Sequence, residues 1–471
     1  MRAWRQRMMP TPARCTFWLL LTVCCALAWG AAERGARAMS PRDEPSEDQP
    51  TPPVDTARGE RELFSLHFQS TMVTAYHPAF SAKYSGEHSL SASAESATAF
   101  VSTLYADRRL WPGGELLFNP EISGGKGLSS TLGVAAFPTG IVYRVGDPAP
   151  AAYVARLAIR QTFGLGGGRV ENASGPNELV DRRDRDVLGI TVGRVSVQDV
   201  FDGNRYAHDA TERYFNWALF ASGAWDYPAD TRGYTWAVMA DLAVDWWSVR
   251  AGIALEPKSA NEAAMAWNVA KSHGLMAEYE ARYTVDGQHG ALSTLIFLNS
   301  ARMGSYSQVL ADPGRYHNSV VETRADGRLK YGIALSLEQQ LRQGTGTFLR
   351  LSMNDGATES WAFTEIDRSF ATGVIQDGAL WHRERDELGA AVVLNGLSSA
   401  HRTYLQRGGY GFILGDGTLS YGPEISFDTY YKLSLADNVS LGAIYQPIIN
   451  PGYNRERGPV HVLTGRLHVA F

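Results

Sequence analysis

The sequence predicts an all-β protein: a transmembrane antiparallel β-barrel of about 16 strands, exported behind a signal peptide. Three observations predict it. Apolar and polar residues alternate in segment after segment from residue 63 to the C-terminus. Successive side chains of a strand point to opposite faces, so a period of two marks strands. Aromatic residues gather at the ends of these segments, as Trp and Tyr do at the two interfaces of a membrane. After the leader there is no apolar run long enough for a spanning helix. An exported chain of that kind can cross a membrane only as a closed barrel, because lipid cannot satisfy an open sheet edge.

The stretch from Phe215 to Val244 carries the pattern most clearly and reads as a hairpin. Phe215, Trp217, Leu219 and Ala221 share one parity of the first arm. Tyr234, Trp236, Val238, Ala240 and Leu242 share one parity of the second. Asp226, Pro228, Asp230 and Gly233 supply the turn. Trp225, Tyr227, Tyr234 and Trp236 would form one aromatic band, and Tyr214, Trp217, Trp246 and Trp247 the other.

Residues 1–38 read as the signal peptide. Arg2, Arg5, Arg7 and Arg14 make a basic start, Phe17 to Trp29 an apolar run, and Ala36-Arg37-Ala38 a small-residue cleavage site. Cys15, Cys24 and Cys25 all lie here, so the exported chain has no cysteine for a disulfide or a metal. The formal charge of the whole chain is −5, and the leader holds six Arg and one Glu, which leaves −10 on the rest. That balance argues against nucleic acid as a partner. Residues 39–62, with Pro41, Pro45, Pro50, Pro52 and Pro53 among acidic residues, read as a disordered periplasmic linker. Residues 63–471 are the barrel.

The strand candidates are 62–76, 95–111, 113–123, 150–164, 186–197, 213–224, 232–244, 247–256, 272–285, 289–303, 328–343, 345–356, 386–397, 421–435, 436–448 and 459–471. An even number of this size suits an aqueous pore. Most candidates are joined by short turns rich in Gly, Asp and Pro or by longer polar loops, a mixture that suits periplasmic turns and extracellular loops. Residues 259–271 and 399–409 look helical, and Gly164-Leu165-Gly166-Gly167-Gly168 reads as a hairpin turn.

The inward parities carry the chemistry. Asp107 and Arg109 oppose Ala106 and Leu110; Glu115, Asn119 and Glu121 oppose Leu116 and Phe118; Arg156 and Arg160 oppose Leu157 and Ile159. A charge on the lipid side at mid-depth costs a few kcal/mol, so these charges belong to a wet lumen. Three neighbouring strands would align the seven polar residues into one wall, about 4.8 Å from strand to strand. Mixed donors and acceptors at several heights suit a polar, uncharged solute. These seven are the expected lining of the narrow part of the pore.

The chain resembles the carbohydrate-selective porins of the OprB type. The matching stretches include HPAFSAKYSGEHSL (77–90), LWPGGELLFNPEISGGKGLSSTLGVAAFPTG (110–140), TVGRVSVQDVFDGNRYAHD (191–209), GLSSAHRTYLQRGGYGFILGDGTLSYGPE (396–424) and NPGYNRERGPVHVLTGRLHVAF (450–471). The resemblance implies a barrel of the bacterial outer membrane that contacts its lipid and passes small sugars by passive diffusion. Phe471, with Leu467 and Val469 on the same parity, resembles the signal read by the barrel assembly machinery. Oligomeric state stays open between a monomer and a homotrimer.

No cofactor or catalytic motif stands out. The chain has no G-x-S-x-G and no H-E-x-x-H, and its His residues are scattered. A channel rather than an enzyme is expected. Arg109, Arg156 and Arg160 leave a general or anion-leaning pore as the nearest alternative. A barrel hydrolase would need a paired nucleophile and base, and an adhesin would have a plugged lumen.

Overall fold

The computed structural model describes residues 62–141 and 148–471. The expected signal peptide, and all of the expected linker except Glu62, lie outside the described residues. Sixteen strands among them close into one antiparallel barrel in which every strand pairs with its sequence neighbours and β1 pairs with β16. The strands are β1 (Phe64–His77), β2 (Glu95–Trp111), β3 (Gly114–Gly125), β4 (Ala151–Asn172), β5 (Asp181–Val195), β6 (Thr235–Val244), β7 (Trp247–Ala254), β8 (His273–Val285), β9 (Gln288–Ala301), β10 (Arg328–Arg342), β11 (Thr345–Asn354), β12 (Arg368–Asp377), β13 (Glu387–Gly396), β14 (Glu424–Ala436), β15 (Val439–Ile449) and β16 (Val460–Ala470).

Alternation in the sequence becomes two faces in the structure. On β4, Leu157, Ile159 and Phe163 are exposed on the outer wall, while Arg156 and Arg160 point into the lumen and meet partners there. Five connections at one rim are two-residue turns. Asp286-Gly287 between β8 and β9 shows why: both have positive φ, 52° and 78°. That is the mirror-image turn which matches strand twist and which Asp-Gly adopts readily. The long connections all lie at the opposite rim. Closure is made by eight residue pairs from Gln69↔Ala470 to Tyr76↔Leu463. Thr71 hydroxyl and His468 Nδ1 meet at 2.8 Å across that seam.

The first arm of the expected hairpin is not a strand. Residues 213–224 belong to a long connection, 196–234, that leaves β5 and folds into the lumen. This segment holds a four-residue helix, α1 (Trp217–Phe220). Phe215, Trp217, Leu219 and Ala221 are buried, and so are Asn216, Ala218 and Ser222 of the other parity. A segment enclosed on all sides has no lipid face for its alternation to report. The first arm's aromatics consequently form no membrane band. Trp217 stacks on Phe363 at 4.7 Å, and Tyr227 stacks on the same ring at 4.7 Å. The second arm is β6.

The strand that completes the barrel is β12, which the alternation does not reveal. Its inward residues are Ser369, Ala371, Gly373 and Ile375 and its outward ones Phe370, Thr372 and Val374, so the two faces differ little in polarity. Residues 259–271 form no helix. Asn261 has φ of 51°, and the segment is pinned by a bridge from Pro257 to Met265. Residues 399–409 do contain a helix, α3 (Ser399–Gln406), begun by Ser398 Oγ accepting from His401 N–H at 3.1 Å. A further short helix, α2 (Tyr306–Ala311), packs against it. The glycine run 164–168 is not a turn either. It lies inside β4, and the reversal comes at 173–180.

The inward segment is fastened to the barrel wall by buried ionic and backbone contacts. Arg350 of β11 meets Asp202 at 2.5 Å and donates to the Ala207 carbonyl at 2.7 Å. Asp428 of β14 accepts the Phe215 and Asn216 N–H groups at 2.9 and 3.0 Å. Lys330 of β10 meets Asp226 at 3.0 Å. Removing one member of a buried pair strands the other charge, at a cost of about 3–5 kcal/mol. Arg350→Ala is therefore expected to loosen the segment and give a larger, noisier single-channel conductance in planar bilayers. An unchanged conductance would mean that the other anchors suffice.

Candidate functional site

The register sets the seven candidate residues side by side on the inner wall. Arg109 of β2 faces Glu115 of β3, Glu115 faces Arg160 of β4, and Asn119 faces Arg156. They separate into two groups by depth. Near the short-turn rim, Arg109 meets Asp181 at 3.1 Å and Glu115 at 3.6 Å. Arg160 meets Glu115 at 2.9 Å and donates to the Asn177 carbonyl at 2.6 Å. Asp107, buried, completes this lower group.

Nearer the long-loop rim stand Glu121 and Arg156, with Asn119 buried between Tyr105 and Arg156 on the neighbouring strands. Glu121 accepts from the Thr103 hydroxyl at 2.6 Å, from the Tyr234 hydroxyl at 3.0 Å, and from the Tyr153 hydroxyl. Arg156 grips both oxygens of Asp199 at 2.7 and 2.6 Å, a two-point fork that fixes the guanidinium plane.

Beside this upper group lies a column the strand pattern does not disclose. Arg232 sits over the Tyr153 ring at 4.2 Å, Arg156 over the Tyr234 ring at 5.4 Å, and Arg194 over the same ring at 5.8 Å. Tyr153 and Tyr234 are 6.3 Å apart. Arg194 is held by Asp230 at 2.6 Å. Asp230, Arg232 and Tyr234 come from the returning limb of the inward segment. Asp230 opens a turn, as the sequence suggests, closed by the Gly233 N–H on the Asp230 carbonyl at 2.9 Å, and this turn brings Arg232 and Tyr234 to the wall. The column offers fixed donors, acceptors and flat ring faces, a combination that can grip hydroxyl groups and cover an apolar ring face. Among the described residues no group of three or more His, Cys, Asp and Glu could hold a metal ion.

The model of the carbohydrate-selective porin family OprB matches residues 87–471. The chain belongs to this family. It is a porin of the bacterial outer membrane that passes sugars. No protein of curated function matches the sequence. Among solved structures, the porin is similar to Pseudomonas putida OprB at high pH, with 16% identity, a TM-score of 0.67, and 87% of this chain and 94% of that one covered. It also matches Acinetobacter baumannii DcaP, an outer membrane channel, with 8% identity, a TM-score of 0.47, and 87% and 97% coverage. Pseudomonas aeruginosa OccK11 follows with 11% identity, a TM-score of 0.40, and 88% and 98% coverage. At 16% identity the likeness to Pseudomonas putida OprB is one of fold.

On its long-loop side the porin carries a compact cap. His401 of α3 meets Asp367 at 3.1 Å and Glu365 at 3.6 Å and stacks on Tyr306 at 4.4 Å. Glu365 also accepts the Ile413 and Leu414 N–H groups at 2.9 and 2.7 Å. Burial alone would lower the His401 pKa, but the Asp367 and Glu365 carboxylates outweigh it and push it up to about 9. A pKa raised on folding contributes stability below the unfolded value of about 6.5, and that stability is lost as pH rises through about 9. Trypsin cleavage at Arg402 and Arg407 is expected to accelerate between pH 7 and pH 10, flanking the point where His401 loses its proton. His401→Gln is expected to flatten that profile; an unaltered profile would separate the cap's stability from His401.

Proposed function

We propose that small sugars cross the porin by passive diffusion along the column formed by Tyr153, Arg156, Arg194, Arg232 and Tyr234, with Glu121 behind it. The observation that carries this reading is the alternation of guanidinium and phenol groups at 4.2–5.8 Å. In the same reading Asp107, Arg109, Glu115, Asn119 and Arg160 form the wall below, so all seven candidate residues border the narrow part. Binding along such a path must stay weak, since a solute has to leave as readily as it enters. Diffusion leaves the sugar's bonds unchanged, so the path calls for no catalytic group or cofactor.

Pairing of the arginines favours a sugar path over an anion pore. Arg156 faces Asp199, Arg194 faces Asp230, Arg160 faces Glu115, and Arg109 faces Asp181. Each carboxylate offsets its partner's field while leaving the donors oriented. Replacing Arg156 and Arg160 by Ala, and separately Tyr234 by Ala, is expected to slow sugar uptake in liposome swelling about fivefold, the equivalent of about 1 kcal/mol for one cation–ring contact. The chloride/potassium permeability ratio is expected to change less. A shift in ion preference with sugar uptake unaltered would place the sugar path elsewhere.

Assembly belongs to the same reading. Phe471 is 66% exposed, and its backbone pairs with Phe68 at 2.8 and 3.0 Å. A terminal aromatic held at the seam strand and turned toward the lipid supports recognition by the barrel assembly machinery. Deleting Phe471 is expected to lower outer-membrane levels severalfold on quantitative immunoblots. Undiminished levels would remove that step. Native mass measurement of the purified porin decides between a monomer and a homotrimer.

A further inference from the structure

The β4–β5 hairpin does something no other hairpin in the barrel does. Its ladder runs on past the wall to Asn172↔Asp181. Register shifts fall at Gly164/Gly166 and at Gly166/Arg169. Gly166, Gly167 and Gly168 have φ of 96°, 76° and 101°, a left-handed run that only glycine adopts without strain. At that bend the hairpin turns inward and lies across the inner faces of β3, β2 and β1. Asp181 meets Arg109 of β2 at 3.1 Å, and Ser174 Oγ meets His67 Nε2 of β1 at 3.2 Å. Glu62 holds the tip from below, its carboxylate accepting the Val180 N–H at 2.7 Å and the Ser174 hydroxyl at 3.2 Å.

The folded-in tip and the inward segment 196–234 enclose a chamber of about 260 Å³ against β3–β6. Its apolar residues, Leu117, Val195 and Met239, are interspersed with Arg160 and Asp241 on the same barrel wall, and Asn177 and Glu178 of the hairpin tip add further polar groups. Met239, an apolar exception on the inward parity of β6, thereby has a role. Asn177 Oδ1 is buried and has no hydrogen-bond partner among the described residues. A buried acceptor without a donor calls for a ligand or water at that point. Arg156 borders both the chamber and the column, so the two spaces share a wall.

We infer that this chamber is a second sugar site, holding one monosaccharide between the column and the periplasmic exit. The inference rests on the sugar path proposed above. A pyranose has apolar C–H faces and a rim of hydroxyls, which apolar patches set among polar groups can meet together. Asn177 Oδ1 accepts one sugar hydroxyl, and the Arg160 guanidinium, fixed by Glu115 and the Asn177 carbonyl, donates to another. The lower group of charges thus has two duties, to fasten the hairpin and to face the sugar it encloses.

Current-noise analysis of single channels in planar bilayers tests this, with glucose as the probe. The unaltered porin is expected to show two sugar-induced relaxations, one for the column and a slower one for the chamber. Thr191→Phe, which fills the chamber from β5 and leaves the column untouched, is expected to abolish the slower one alone. Asn177→Ala is expected to shorten the slower dwell time about fivefold, as loss of one hydrogen bond would, and it serves by itself if the larger side chain prevents assembly. A single relaxation in the unaltered porin, or two that survive both substitutions unchanged, overturns the chamber while leaving the column standing. No glucose-induced noise in a channel that conducts ions overturns the sugar path itself, and the chamber with it.

Discussion

Everything in this porin hangs on the closure of one hydrogen-bonded ladder. A strand in lipid cannot leave its N–H and C=O groups unpaired, so the sheet has to meet itself. It does so where β1 lies beside β16, and the last residue still takes part, with Phe471 N–H donating to the Phe68 carbonyl. Closure removes both edges at once. It also creates an interior wide enough to need filling, and most of the remaining architecture answers that need.

The filling is done by loops, and the loops are held by carboxylates that reach for backbone N–H groups in pairs. Asp226 accepts from Trp361 and Ala362, Asp428 from Phe215 and Asn216, Glu365 from Ile413 and Leu414, and Glu424 from Ala135 and Gly452. A segment without regular structure leaves its own backbone groups unpaired, and in a buried place each must find a partner. One carboxylate accepts several hydrogen bonds and so satisfies two donors from one position. Between these staples the space is packed with aromatic rings, chiefly Trp217, Phe363 and Tyr227. The lumen is therefore built as a core with a channel left in it, and the polar residues of its wall divide between stapling and lining.

How far this was legible varies with the range of the interactions involved. The inward placement of Asp107, Arg109, Glu115, Asn119, Glu121, Arg156 and Arg160 followed from strand parity, which is a local property. Their partners did not. Asp199 for Arg156, Asp181 for Arg109 and Tyr234 for Glu121 lie 43, 72 and 113 residues away in the chain, and nothing in the spacing announces them. The expected count of strands agreed with the structure through two offsetting differences. Residues 213–224 alternate but are buried on both parities, while β12 lies in the wall with little contrast between its faces.

By itself, then, the sequence determined the strands with a clear lipid face, the short turns such as Asp286-Gly287, the resulting closed barrel and the family. All of these follow from side-chain alternation and turn chemistry over a few residues. Only the tertiary structure decided that the segment 196–234 enters the lumen, that Gly164 to Gly168 bend a hairpin rather than end it, and that Tyr153, Arg156, Tyr234 and Arg232 share one column. Those outcomes depend on contacts between distant parts of the chain inside an enclosed space, where burial on every side erases the period by which a sequence shows which way its residues face.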